Sequence, residues 1–490
     1  MSLYKNKSFL AAGVFLCLLF AILLAVRIGV FRKEIPEYAF NPANSLSERN
    51  SWMNIIQHGR KIGFSHSVLS KREDGYHLEE NVFMKINTMG MIQEINLKTQ
   101  ANLNPDFTLQ TFDFGISSGR FEFKSKGKVD GETISIYTED SGTPRKIDMP
   151  VKKKPFIIAG VVDAALAAGL KEGELVTFEI FDPSTMSQEP VLLKVGEKEE
   201  ISIGGTRQTA VKMLLSFKGT RQDLWIGESG EILKEKGLLG ISLEKTTREE
   251  ALSGLSLQAS DDLTEIASLP SNVIIDNPEK LSMMKVKIEG VELESLKMNS
   301  ERQTFENNVL EIKKESLIDL PVQSNLNKND IKWPDFLKPT PFIQSDNRRI
   351  LSVVINTVDR SDSPLIKIRK IMSWINSNIK KRPVFSLPDA VSTLENRAGD
   401  CNEHAVLMAA LARAAGIPAK IEAGLVYLNG RFYYHAWNLL YLGKWITVDS
   451  LFGQMPADVT HIRFTSGDQK EQLDLMRIIG NLKLKVMEYK

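Results

Sequence analysis

Three residues in the last quarter of the chain have types and an order that could perform nucleophilic chemistry. Cys401 is followed by His435 after 34 residues and by Asp449 after a further 14. In such a set the thiol attacks a carbonyl carbon, the imidazole moves the proton, and the carboxylate fixes the imidazole tautomer. The spacing alone does not bring the three together, so the elements that carry them must do so.

The segment around Cys401 predicts a helix over residues 401–415. Asp400 and Glu403 form a capping-box pattern, alanines and leucines follow, and Gly416 and Pro418 stop the helix. Cys401 is then the first helical residue, where unpaired N–H groups and about half a positive charge favour a thiolate. The Cys401 N–H could also hold a developing oxyanion. A buried structural cysteine is the alternative interpretation.

His435 and Asp449 fall on two predicted strands, RFYYHAWNLLYL and KWITVDSLFG, joined by a turn near Gly443. A two-residue turn would place the two side chains on opposite faces, since side chains alternate along a strand. A three-residue turn over 442–444 makes them diagonal neighbours on one face, within side-chain reach. A catalytic role therefore predicts the odd-length turn or a bulge.

Other candidates have more ordinary explanations. His404 is a competing base three residues after the thiol, although a structural role is favoured. His461 is interpreted as structural, and Asp389 and Asp458 as loop or cap acids. Zinc ligation by Cys401, His404, His435 and Asp449 remains an alternative if all four converge, but we expect no metal and no cofactor. An acidic calcium loop is not apparent.

The N-terminus predicts a membrane anchor. Phe9 to Val26 contains 18 residues without a charge, near the length that spans a bilayer, and no clear cleavage site follows. Positive charges flank both ends, so orientation is weakly determined, and we expect the later domains on the extracytoplasmic side. Cys17 lies within this segment, so no disulfide with Cys401 is expected.

Length and pattern predict several domains. Residues 1–45 are interpreted as anchor and linker, 46–262 as a β-rich domain with alternating apolar residues and a helix near 156–170, and 263–335 as a small β section. Residues 336–490 are the predicted catalytic domain. The near balance of 62 basic and 61 acidic residues gives no reason to expect nucleic-acid binding.

Three ordered blocks resemble the transglutaminase-like superfamily of papain-type thiol enzymes, in its bacterial membrane-anchored form. They are the helix SPLIKIRKIMSWINSNIKK, the cysteine block RAGDCNEHAVLMAALARAAGIPAKIEAGLVY, and the histidine and aspartate block YYHAWNLLYLGKWITVDS. The resemblance covers about residues 340–465. Asn438 and the Asp-Ser pair at 449–450 depart from the common pattern without removing a catalytic group.

The resemblance implies an α+β fold with a papain-like core at the C-terminus. In the sequence this core follows the transmembrane helix and a large, mainly antiparallel β region. It implies Cys401 as nucleophile, His435 as base and Asp449 as orienting carboxylate, with acyl transfer through a thioester on a protein or peptide substrate. Hydrolysis and transamidation both remain open, and no side-chain oxyanion donor is identifiable. A non-catalytic protein-binding or assembly role on the same fold is the alternative.

Overall fold

The computed structural model describes residues 46–140, 143–151, 153–217, 220–254, 261–291, 298–318, 320, 333–384, 386–467, 475 and 478–490. The predicted anchor Phe9–Val26 lies outside these residues, as does Cys17. In the described ranges no helix has both the length and the apolar character needed to cross a membrane.

The first half of the chain forms one antiparallel sheet of 14 strands. The strands pair with their sequence neighbours from β1 to β8 and from β9 to β14, and β1 pairs with β14 to join the two runs. Alternate residues are buried along most strands, as the apolar alternation predicts. The strands are β1 Arg49–Gln57, β2 Arg60–Arg72, β3 Gly75–Thr88, β4 Met91–Leu103, β5 Leu109–Ser118, β6 Phe121–Asp130, β7 Thr133–Asp140, β8 Thr143–Pro150, β9 Leu175–Asp182, β10 Ser187–Ile203, β11 Thr206–Phe217, β12 Thr220–Ile226, β13 Ile232–Lys236 and β14 Ile241–Thr246.

A short helix fills the inner face of this sheet. The predicted helical segment contains a 3-10 turn, Ile158–Gly160, and α1, Val161–Ala167. The sheet curls around them, and this curvature brings the ring centre of Phe112 on β5 to 5.1 Å from that of Phe181 on β9. Helix and strands share a single apolar core.

The segment that follows the 14-stranded sheet forms another sheet together with the end of the chain. A four-stranded sheet has the order β17-β18-β16-β25, so the last strand of the chain pairs with the segment predicted as a small β section. Its strands are β16 Met283–Glu289, β17 Gln303–Glu306, β18 Val309–Lys313 and β25 Lys483–Tyr489. Short helices near this region are α2 Arg248–Leu252, α3 Leu263–Ala267 and the 3-10 turns Pro278–Lys280 and Pro334–Leu337.

The last sheet and its helices carry the candidate residues. The sheet has the order β15-β22-β21-β24, with β23 also paired to β22, and a parallel bridge joins β19 to β20. Helix α7, Cys401–Ala414, is buried through most of its length against the other helices and one face of this sheet. The elements are β15 Leu269–Pro270, β19 Lys380–Lys381, β20 Ala398–Gly399, β21 Ala419–Leu428, β22 Arg431–Tyr441, β23 Trp445–Val448, β24 Ile462–Ser466, α4 Arg348–Thr357, α5 Pro364–Asn378, α6 Ala390–Asn396 and α7 Cys401–Ala414.

Candidate active site

Helix α7 begins at Cys401, and the capping box predicted from sequence is confirmed. The Asp400 carboxylate accepts from the Asn402 N–H at 3.1 Å, while Glu403 Oε2 accepts from the Asp400 N–H at 3.0 Å. These bonds satisfy N–H groups that a helix start leaves unpaired. The helix ends at Ala414, and Gly416 follows with φ of 84°, a left-handed conformation that glycine adopts without strain.

Gly399 lets the chain enter this helix tightly. A Cβ at this position would lie 2.3 Å from the Glu403 Cβ, far inside van der Waals contact. The carbonyl of Gly399 accepts from the Arg382 N–H at 3.1 Å, which ties the entry to the preceding segment. The absence of a side chain therefore allows Glu403 to fold back onto the residue before the thiol.

The hairpin that carries His435 and Asp449 has the odd-length turn that a catalytic role requires. Tyr441 pairs with Trp445, so the turn contains the three residues 442–444. Extending that register places His435 and Asp449 on one face. Their side chains meet, with His435 Nε2 at 2.7 Å from Asp449 Oδ2.

The Asp449 carboxylate is saturated with donors. Its Oδ1 accepts from the N–H groups of Leu451 and Phe452 at 2.8 and 2.9 Å, and its Oδ2 accepts from His435 and from His461 Nε2 at 3.0 Å. Burial by itself would raise the pKa of Asp449, but the charges and hydrogen bonds of the two histidines hold it well below its ordinary value. The ionised carboxylate makes His435 carry its proton on Nε2, which leaves Nδ1 as an acceptor.

His461 extends the pair into a buried chain of four groups. Its Nδ1 lies 3.2 Å from Asp458 Oδ1, and its side chain is fully buried. Burial opposes a charge on this ring, but hydrogen bonds to Asp449 and Asp458 raise the pKa of His461 to about 9. At neutral pH it is therefore an imidazolium held between two carboxylates.

The thiol of Cys401 lies next to the histidine strand. The backbone N–H of Ala436, the residue after His435, donates toward the sulfur and acts to lower the thiol pKa. Strand β22 pairs with β15 only through 431–432 and with β23 only from 438, so its edge near Ala436 is left for the helix start. The fold thus brings Cys401 and the His435–Asp449 pair to one place.

The expectation of a thiolate stabilised by the helix start is corrected by the structure. Cys401 is partly buried, and this burial, followed by the negative charge of Asp400, raises its thiol pKa well above the ordinary value. These effects outweigh the Ala436 N–H. The resting sulfur is therefore protonated at neutral pH.

Residues of the turn after Asp449 contact both the His435 imidazole and helix α7. The Phe452 ring stacks on His435 at 4.9 Å between centres and 15° between planes. Ser450 donates to the His404 carbonyl at 3.3 Å, and Asn438 donates to the Ala405 carbonyl at 2.9 Å, so both departures from the family pattern tie the hairpin to α7. Phe452 was not identified from sequence, because the signal lies only in its place in the tight turn.

His404 is bound to the start of its own helix. Its Nδ1 lies 2.7 Å from the Asp400 carbonyl within its own helix, and burial lowers its pKa. Asp389 caps α6 by accepting from the Ser392 N–H at 2.9 Å, as expected for a cap acid. Asp458 accepts from the Thr460 N–H at 2.8 Å, but it also carries the His461 contact.

The four-ligand zinc alternative is not formed. In the part of the chain that the structure describes, the only close group of three potential ligands is His435, Asp449 and His461, with atoms within 4.8 Å of one another. This group excludes Cys401 and His404. The two imidazoles contact one carboxylate oxygen at 2.7 and 3.0 Å, so hydrogen bonds explain the cluster.

A thiol at a helix start, beside a sheet-borne imidazole and carboxylate, is the arrangement of groups found in papain-type folds. Residues 352–450 match the model of the transglutaminase-like superfamily. Members of this superfamily are usually cysteine-dependent enzymes that act on proteins or peptides. No curated protein matches the chain.

Similarity to solved structures is weak over the whole chain. A β-barrel-like protein of unknown function from Brucella abortus is 9% identical, with a TM-score of 0.33 over 42% of this chain and 98% of that one. A protein from Cytophaga hutchinsonii, provisionally named a cysteine protease, is 18% identical, with a TM-score of 0.26 over 43% and 87%. One from Parabacteroides distasonis, provisionally named a protease, is 10% identical, with a TM-score of 0.19 over 67% and 63%.

Proposed function

We propose that the protein is a cysteine-dependent acyl-transfer enzyme that acts on amide bonds of proteins or peptides. The observation that carries this proposal is the buried 2.7 Å contact between His435 and Asp449 beside the sulfur of Cys401. Burying a carboxylate costs free energy. An arrangement in which it orients a histidine next to a thiol is the one that nucleophilic catalysis uses.

The reaction begins from a neutral thiol. As the Cys401 sulfur attacks the amide carbonyl carbon, His435 Nδ1 accepts the thiol proton, and Asp449 stabilises the imidazolium that forms. The helix-start N–H of Cys401 donates to the oxyanion. Collapse of the tetrahedral intermediate breaks the C–N bond, and His435 gives its proton to the departing amine.

A thioester at Cys401 then reacts with a second nucleophile. Water yields a carboxylic acid, and a primary amine yields a new amide. In either case His435 removes the proton of the attacking group, and the sulfur leaves and recovers a proton. Hydrolysis and transamidation therefore share every residue and differ only in which nucleophile reaches the thioester.

The test is a panel of glutamine-containing peptides and unfolded proteins, incubated with the full-length protein with and without a fluorescent primary amine. We expect ammonia or new peptide ends from the wild type. The products should fall at least about 1,000-fold in Cys401→Ala and in His435→Gln, since the groups of such a set act as one unit. His404→Gln is the matched control and should keep most of the activity. Equal turnover by Cys401→Ala would refute the proposal.

A binding or assembly role without catalysis is the second candidate, and the raised thiol pKa favours it. Alkylation with iodoacetamide across pH separates the two, because a thiol that His435 activates loses reactivity in His435→Gln. An alkaline inflection that is identical in wild type and His435→Gln, together with a silent panel, would favour the binding role.

We also propose that Phe9–Val26 anchors the chain in a membrane with its soluble part on the extracytoplasmic side. The uncharged 18-residue stretch supports this. Full-length protein should sediment with membranes and resist carbonate extraction, whereas a chain without residues 1–45 should stay in the supernatant. Protease added outside intact cells or spheroplasts should cleave the soluble part. If the soluble part is instead protected from the protease, it lies on the cytoplasmic side and the proposed orientation is wrong.

A further inference from the structure

A charged cavity lies behind the candidate triad. It has a volume of about 210 Å³ and sits on the face of the sheet opposite α7, between β21 to β23 and the segment 299–303. His461 lines this cavity and also donates to Asp449. The cavity and the candidate active site therefore share one side chain.

Two cationic side chains that line the cavity, Arg302 and Lys420, have hydrogen-bond donors without an acceptor among the described residues. Arg302 is 9% exposed, and its Nη atoms bind Glu315, Thr447 and two carbonyls, but its buried Nε has no partner among the residues that the structure describes. Lys420, which also lines the cavity, makes no hydrogen bond through Nζ among the described residues. Its ammonium instead lies 4.1 and 4.5 Å from the ring centres of Phe336 and Trp445. A buried hydrogen-bond donor that has no acceptor destabilises the fold.

Two of the three carboxylates that line the cavity, those of Glu315 and Glu422, already bind donors of the protein. Glu315 binds Arg302 and both the N–H and hydroxyl of Thr447. Glu422 accepts from Trp437 Nε1 at 2.9 Å and from Arg463 at 3.3 Å. Both carboxylates are thereby turned to partners of the protein. A ligand that fits what is left must supply acceptors and negative charge.

We propose that this cavity binds a small oxyanion, a carboxylate or a phosphate, which accepts from Arg302 Nε and Lys420 Nζ. Arg302, Lys420 and Arg463 line the cavity with three carboxylates, of which Glu301 is exposed, while the charge of His461 is already paired with Asp449 and Asp458. Planar or tetrahedral oxygens match guanidinium and ammonium donors. Because His461 contacts both sites, the anion would lie one side chain away from Asp449.

The test is isothermal titration calorimetry of the full-length protein in detergent at constant ionic strength. Inorganic phosphate and acetate are the two probes, which separate the two sources of the oxyanion, and choline chloride is the cation control. We expect a saturable single-site heat with at least one anion. Lys420→Gln should weaken it about tenfold or more, and Lys420→Arg should retain it.

Lys444→Gln is the matched control, because Lys444 lies in the β22–β23 turn outside the cavity lining. Binding should be unchanged in that variant. The proposal fails if neither anion gives saturable heat at millimolar concentration, or if wild type and Lys420→Gln bind equally. Binding is measured without turnover, so its failure is separate from a failure of the acyl-transfer proposal.

Discussion

Asp449→Asn should lower acyl-transfer turnover by about 10,000-fold, the scale seen when an orienting carboxylate becomes an amide. The carboxylate Oδ1 accepts from two backbone N–H groups, so the asparagine oxygen must take that place. Its NH2 group then faces His435 Nε2, which has to become an acceptor. The imidazole proton moves to Nδ1, and the ring can no longer take the thiol proton.

The same substitution should also destabilise the fold. It removes the negative partner of the buried His461 imidazolium, and breaking a buried pair in this way costs about 3–5 kcal/mol. Asp389→Asn is the matched control, because Asp389 is buried but caps α6 away from the triad. Turnover of Asp389→Asn should stay within about tenfold of the wild type. Comparable losses in both variants would assign the effect of Asp449→Asn to misfolding.

The second large effect is a loss of stability at alkaline pH that depends on His461. Its pKa is about 9 in the folded protein, against 6.5 for an ordinary histidine, so the folded state binds this proton more tightly than the unfolded chain. The resulting stabilisation is complete below pH 6.5 and is lost as the pH rises through about 9. A shift of this size corresponds to about 3 kcal/mol.

Chemical denaturation at pH 6, 7.5 and 9.5 measures this difference in the free energy of unfolding. In His461→Gln the alkaline loss should disappear and the protein should be less stable at pH 6. His404→Gln is the control, because His404 is also buried but burial lowers its pKa and no carboxylate pairs with it. An alkaline loss that persists unchanged in His461→Gln would place its origin elsewhere in the protein.

Local signals predicted several parts of this site correctly. The capping box at Asp400 and Glu403 and the stop at Gly416 are short-range effects of backbone hydrogen bonding, and the helix follows them closely. The turn length was a conditional prediction, since Gly443 alone allows two or three residues. The structure has three, as a meeting of His435 and Asp449 requires.

The ionisation of the site was not readable from sequence. A helix start predicts a stabilised thiolate, yet burial and Asp400 raise the thiol pKa because both act through space. His461 was interpreted as structural, since its partner Asp449 lies 12 residues away with no regular spacing. The pairing of β25 with β16 is likewise invisible locally, as these strands are almost 200 residues apart.

The sequence by itself determined the elements that start, stop and alternate over short distances: the thiol helix, the hairpin and the β-rich first half. It also supplied the blocks that identify the superfamily. Only the tertiary structure decided the four-group chain from His435 to Asp458, the protonated resting thiol and the cavity behind them. These depend on which charges meet in a buried place, and burial and Coulomb interactions are properties of distance in space rather than distance along the chain.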